Sequence, residues 1–270
     1  MGWIDHAVRL PYFRGAWERF PYGSIDTKVR FGVYARPHYA YGVYWAAILA
    51  KRLSIPRITA IEFGVAGGRG LLALEELGMA IGRHVGVEID VVGFDSGEGM
   101  PQPTDYRDLP HVWNAGFFKM NAPRLQAVLK SATLVLGEVA QTSHEWLEGS
   151  ITSPIGFIAF DLDYYSSTRD AFTIFEGNES THLPRVQCYF DDLACTEVGC
   201  MNEYVGEYLA ISEFNAGHSS KKICRQEQFR LNRFTWENWH DRMYAFHDFA
   251  HPEYTRLVSP QGDANTQMPL

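Results

Sequence analysis

The chain has 270 residues, of which 46% are hydrophobic and 21% charged, with a formal charge of −8 and four cysteines. That length suits one α/β domain with capping elaborations, and no stretch approaches the roughly 18 apolar residues that a membrane-spanning helix needs. The acidic balance and dispersed Lys and Arg weigh against a nucleic-acid partner.

The N-terminus lacks a basic stretch leading into an apolar core, so a cytoplasmic location is the expectation. Residues 1–44 are rich in aromatics broken by Pro and Gly, which predicts irregular or short-helical capping structure. A helix is predicted over Tyr41–Leu53, ended by Pro56, and then a buried strand over Ile58–Val65 that opens into a glycine loop, Gly64–Gly70. Leu71–Ile81 reads as a helix and Val91–Ser96 as a second strand, completing a βαβ unit. Further apolar runs, Ala132–Val139, Ile155–Asp163 and Val186–Asp192, each end in polar or acidic residues and read as parallel strands. Between them, Ala122–Lys130 and Ser167–Glu176 read as helices, and the alternation predicts a doubly wound parallel sheet. The remainder reads as a helix over Met201–Asn215, strand-like pieces over Ile223–Phe234 and Arg242–Phe249, and a loose final dozen residues. Cys188, Cys195, Cys200 and Cys224 form no CxxC pair, so free thiols are expected in place of a zinc site.

In a doubly wound sheet, ligands bind outside the carboxyl ends of the strands, where these acids and glycines fall. Glu62 ends its strand just before Gly64, Gly67, Gly68 and Gly70, but the spacing does not match GxGxxG. S-adenosylmethionine (SAM) has no phosphate and presents an amino group that Glu62 can meet; the competing reading is a glycine turn with Glu62 paired to a nearby arginine. Asp95 ends the next strand, where a carboxylate can accept ribose hydroxyls. Asp161, Asp163, Asp191 and Asp192 gather four carboxylates that repel one another unless a cation neutralises them. Hard oxygens without His or Cys nearby suit Mg²⁺, against a competing reading of solvated loop acids or helix caps.

The motifs EFGVAGG (Glu62 to Gly68), GFDSGEGMP (Gly93 to Pro101), GEVAQT (Gly137 to Thr142), DLDYYSST (Asp161 to Thr168) and Asp191-Asp192 resemble the macrocin O-methyltransferase family, Mg²⁺-dependent SAM enzymes that methylate sugar hydroxyls of antibiotics. The likeness covers about Ile61 to Asp192. It departs from the family pattern at Gly97, Met100 and Tyr164, and in the stretch Arg185 to Cys188. The resemblance implies a Rossmann-like sheet of the class I methyltransferase type, with antiparallel C-terminal strands and an N-terminal capping segment. It implies that Glu62 and Gly64 line the methionine end of SAM, Asp95 and Ser96 the ribose, and Gly137 and Glu138 the adenine side, with Gly67 also binding the cofactor. Asp161, Asp191 and Asp192 correspond to metal ligands and Asp163 to the general base.

The expectation is a single domain: an N-terminal cap (1–55), a SAM and metal core (56–195), a C-terminal part (196–258) and a tail (259–270). Its partner is a small-molecule hydroxyl acceptor such as a sugar or polyketide-type metabolite, with no nucleic acid or membrane, and the aromatic N-terminal segment allows a homo-oligomer. Two rivals are a nucleotide-dependent oxidoreductase on the same scaffold and a non-catalytic SAM-fold binding module. His240, His247 and His251 with Trp236 and Trp239 read as packing and surface residues ahead of an acceptor pocket, as do His111 and His144. Lys221-Lys222 reads as a solvated turn.

Overall fold

A computed structural model describes residues 11–20, 22–149, 151–231 and 236–259. Residues 1–10, most of the expected tail and the last three residues of one strand-like piece, 232–234, lie outside the described residues. The N-terminal segment forms α1 (Pro11–Arg19), α2 (Ile25–Arg30) and α3 (Pro37–Arg52). Pro37 opens α3, where its missing N–H costs no hydrogen bond and its fixed φ suits a helix, so α3 starts one turn earlier than its apolar period indicates.

The described residues form a seven-stranded sheet. Its strands are β1 (Arg57–Phe63), β2 (Glu88–Asp95), β3 (Thr133–Leu136), β4 (Ile155–Phe160), β5 (His182–Phe190), β6 (Lys221–Arg225) and β7 (Met243–Asp248). Their order is β3-β2-β1-β4-β5-β7-β6. The first five pair in parallel, and β7 lies antiparallel to both β5 and β6. This is the predicted doubly wound α/β architecture with antiparallel C-terminal strands. β4 is buried along its length and β1 at every residue but the first, as their uninterrupted apolar sequences require of central parallel strands. Strand order reverses between β1 and β4, so a crevice opens beyond their carboxyl ends.

Helix α3 and α4 (Arg69–Val85) cover one face of the sheet, where Tyr39, Ala47, Leu71, Leu74 and Phe157 share a core. The other face is covered by α6 (Val139–Gly149), α7 (Tyr165–Ala171) and α8 (Gly206–Gly217), with α5 (Ala122–Gln126) in the connection before β3. Across this second face runs a ladder of rings: Phe94 to Phe63 at 4.8 Å, Phe63 to Phe160 at 5.6 Å and Phe160 to Phe190 at 4.7 Å. The register places these phenylalanines side by side on four strands. Each buried ring stabilises the sheet by roughly 1.5–3 kcal/mol. Three of them directly precede an acid, Asp95, Asp161 and Asp191, so the same register that stacks the rings aligns the acids at the strand ends.

Several elements depart from the sequence reading. The run Ala132–Val139 is a strand only to Leu136; Gly137 turns at φ 143° and the Glu138 carbonyl accepts the Gln141 and Thr142 amides, starting the unpredicted α6. Gln228–Leu231, read as strand-like, is a short helix, α9. The Gln226 side chain donates to the Tyr244 carbonyl and to Gln187, and Phe229 then packs on Tyr41 and Trp239. The helix expected from Met201 begins at Gly206, whose φ of 55° and extended predecessor Val205 set its start. Lys221-Lys222 is not a solvated turn: it begins β6, with Lys221 Nζ donating to the Phe175 and Gly177 carbonyls and Lys222 Nζ to those of Asn215 and His218. No helix among the described residues is long and apolar enough to cross a membrane.

Candidate functional site

Every site residue singled out from the sequence lines one cavity of about 420 Å³ at the carboxyl edge of the sheet: Glu62, Gly64, Gly67, Asp95, Ser96, Gly137, Glu138, Asp161, Asp163, Asp191 and Asp192. At one end, Glu62 is 1% exposed. Its Oε1 accepts a 2.5 Å hydrogen bond from the Tyr39 hydroxyl and its Oε2 is buried without a partner. Burial pushes this carboxyl up to about 8, against the Tyr39 hydrogen bond and with help from the Asp161 charge. Its hydrogen-bond partner is thus a hydroxyl and not the arginine of the competing reading.

Glycine is demanded at two places here. A Cβ on Gly70 would stand 1.7 Å from Glu62 Oε1, and one on Gly64, at φ +85°, would stand 1.8 Å from the Asp161 carbonyl oxygen. Asp95 Oδ2 accepts the Val65 and Ala66 amides at 2.9 and 2.8 Å, and Oδ1 accepts the Gly97 amide at 2.6 Å. Asp95 therefore ties the glycine loop to the end of β2 and keeps acceptor capacity on Oδ1. The Ser96 hydroxyl closes a local turn by donating to the Gly99 carbonyl.

At the other end, one carboxylate oxygen from each of Asp161, Asp191 and Asp192 lies within 4.8 Å of the others. Asp191 is held by the Tyr189 hydroxyl at 2.6 Å and by Arg242 at 3.1 Å. Burial, with repulsion from Asp192 and Asp191, raises the Asp161 carboxyl well above the usual carboxylate range. Burial and the Asp163 charge do the same to Asp192. Asp163 has φ 60°, a conformation Asp tolerates better than most side chains, in a tight turn where the Tyr164 amide donates to the Leu162 carbonyl at 2.6 Å. Its own amide donates to Asp192 Oδ2 at 3.0 Å, and burial first, then the Asp161 and Asp191 charges, lifts its carboxyl to about 7.

Sequence reasoning missed several residues of this site. Arg36, just before α3, and Tyr39 on it reach the site, Tyr189 and Arg242 flank Asp191, and Glu207 sits fully buried behind Asp192, taking its amide on Oε2 at 3.0 Å while Oε1 has no partner. None of these stands in a motif; only Phe-Asp at three strand ends was there to be read. The outer wall, Met100, Pro101, Trp113 and Phe118, belongs to the long loop after β2. Buried Asp108 fastens that loop to α7, accepting from Thr104 and from the amide and hydroxyl of Ser166. A second cavity of about 470 Å³ shares Trp113, Asp191 and Asp192 with the first, and its wall includes His111 and Val112, Thr196 and Val198 of the loop after β5, and Arg242. Among the described residues, the loops after β2 and β5 supply most of the wall beside the aspartates, with Arg36 from the N-terminal segment and Arg242 from the C-terminal part.

The bland reading holds for most histidines. His240 stacks on Phe229 at 5.0 Å, His247 meets Tyr254, and exposed His144 pairs with Glu148 at 3.5 Å. His111 lines the second cavity. The four cysteines are free.

No protein-family model and no curated protein matches the sequence. Among solved structures, the chain is similar to CalS11, a calicheamicin methyltransferase, with 17% identity, a TM-score of 0.50, and coverage of 88% of this chain and 93% of that one. It is also similar to the O-methyltransferase NovP, with 15% identity, a TM-score of 0.49 and coverage of 77% and 78%. A third is an O-methyltransferase from Bacillus cereus in complex with SAH, at 12% identity, a TM-score of 0.37 and coverage of 76% and 78%. At such identities the likeness is one of fold.

Proposed function

We propose that the chain is a SAM-dependent, Mg²⁺-assisted O-methyltransferase acting on a hydroxyl of a small molecule. The observation that carries this reading is the union, in one cavity, of a buried half-partnered Glu62 beside the glycine loop and a three-aspartate cluster with Asp163 against it. The fold shared with CalS11, a methyltransferase, supports it.

The residues fit both groups. Glu62 Oε2 lacks a donor that a ligand ammonium supplies, and Asp95 Oδ1 keeps acceptor capacity for a ribose hydroxyl. The hard oxygens of Asp161, Asp191 and Asp192 suit Mg²⁺, which leaves remaining positions to water and substrate. When bound, SAM supplies the electrophilic methyl group and Mg²⁺ the Lewis acidity that lowers the pKa of an acceptor hydroxyl. Asp163, buried against the aspartate cluster, then takes the hydroxyl proton. Asp192, pinned by Glu207, keeps Asp163 in place through its amide. The second cavity, opening on Asp191 and Asp192, gives a neutral hydroxylated acceptor, of sugar or polyketide type, room beside the aspartate cluster. An oxidoreductase reading meets a wall of carboxylates that repels the pyrophosphate of a nicotinamide dinucleotide.

Calorimetric titration with SAM and with SAH, with and without Mg²⁺ and with NADH as control, tests the class. Binding of SAM or SAH but not NADH is expected; failure of both donors with and without Mg²⁺ removes the function and leaves the fold. The Asp163→Asn variant is expected to keep SAH affinity and lose methyl transfer by about 10²–10⁴-fold. Undiminished turnover would remove Asp163 from the role of base.

A further inference from the structure

We propose that Arg36 and Glu62 together form a receptor for the α-amino-acid head of the methyl donor, Glu62 taking the ammonium and Arg36 the carboxylate. This rests on the SAM reading above and extends it to a residue outside every motif of the sequence.

An α-amino-acid head carries both charges. Glu62 answers only the ammonium, and the rest of that end of the cavity, Asp161 above all, repels a ligand carboxylate. A donor with this head therefore needs a cation beside Glu62. Arg36 lines the same cavity, and its guanidinium lies 5.1 Å over the ring of Tyr39, the residue whose hydroxyl holds Glu62 Oε1. Arg36, Tyr39 and Glu62 thus form one connected unit in which Tyr39 fixes the distance between the two charges. The unit is rigid where it needs to be: Tyr39 is 1% exposed, and the Arg36 carbonyl accepts the Ala40 amide at 3.1 Å while Pro37 locks the next φ. The field of Arg36 reaches both Glu62 and Asp161, lowering each carboxyl against the effect of burial. The other arginine on the cavity wall, Arg69, is exposed at the start of α4, apart from the Tyr39 link. Geometry thus favours Arg36 for the carboxylate. A bidentate guanidinium–carboxylate contact is directional and among the stronger polar contacts available.

The test is calorimetry on wild type, Arg36→Met, Arg36→Lys and Arg69→Met with three ligands: SAH, its decarboxylated amine analogue, and 5′-methylthioadenosine, which lacks the whole head. For Arg36→Met the expected result is an SAH affinity lowered about 30-fold, with the amine analogue and 5′-methylthioadenosine within about twofold of wild type. Arg36→Lys should recover part of the SAH affinity, and Arg69→Met should change all three ligands little. An equal loss for SAH and its decarboxylated analogue in Arg36→Met would overturn the proposal, as would unchanged SAH affinity there or a carboxylate-specific loss in Arg69→Met instead. If Arg36→Met alters Mg²⁺ binding alone, Arg36 is the neutralising partner of Asp161 and the proposal falls. Wild type that binds none of the three ligands sinks the SAM reading itself, a result distinct from all of these.

Discussion

The raised Glu62 carboxyl makes ligand binding a proton-linked event. Near pH 6 the free site holds Glu62 protonated, because its carboxyl is pushed up to about 8, whereas an ammonium ligand is best met by the carboxylate. Binding therefore expels a proton below pH 8, and affinity for SAH is expected to rise between pH 6 and 8, by at most about tenfold per pH unit. Calorimetry in two buffers of different ionisation enthalpy reads the released proton directly. Glu62→Gln should bind more weakly and with a flat pH dependence, and a flat wild-type profile would detach Glu62 from the ligand ammonium. Gly70 guards the same carboxyl, since any side chain there would displace the Glu62 oxygen that Tyr39 holds.

Between the sheet and its helices, much of the order rests on carboxylates that serve as acceptors for backbone amides. Glu75, buried on α4, takes the amides of Lys130, Ser131 and Ala132 and the Ser131 hydroxyl on one oxygen, fixing the approach to β3. Burial alone would raise its carboxyl, but the three amides bring it below its ordinary value. Glu75→Ala strands those amides and is expected to destabilise the chain by about 3 kcal/mol, with Glu75→Gln milder because an acceptor oxygen remains. Urea denaturation measures both, and an unchanged midpoint for the alanine variant would refute this anchoring role. The central strands were legible in the sequence because double burial writes itself as continuous apolar runs, and the acids after them marked the site edge. Helix α6 was not legible, since Val139 continues the apolar run of β3 and only the turn at Gly137 divides them. Arg36, Tyr39, Glu207 and Arg242 were invisible for another reason: they reach the site from distant stretches, and their role exists only once β5, α3 and α8 are packed together.

At the scale of the molecule, three layers gather like charges at one edge of the sheet, and the cost falls on the ligand-free protein. A carboxyl whose folded value is raised, as Glu62 is to about 8, contributes stability that is complete below its unfolded value of about 4.3 and is lost as pH rises through the folded one. The melting temperature of the free protein is therefore expected to fall relative to Glu62→Gln between pH 5 and 8, as followed by circular dichroism. SAH at about 100 times its dissociation constant should restore about 5–10 °C at pH 8. No shift with SAH, or an identical pH trend in Glu62→Gln, would show that the pH-dependent cost of burying this carboxylate lies elsewhere. The sheet order also dictates a calendar. Strand β7 lies between β5 and β6 yet comes last of the seven described strands, and Arg242, which holds Asp191, immediately precedes it. While the ribosome is still making residues 191–242, the edge of β5 stays open and Asp191 has no arginine. The acidic pocket thus gains its final brace only after β7 has emerged, so a chain released early carries an exposed strand edge and an unbraced aspartate.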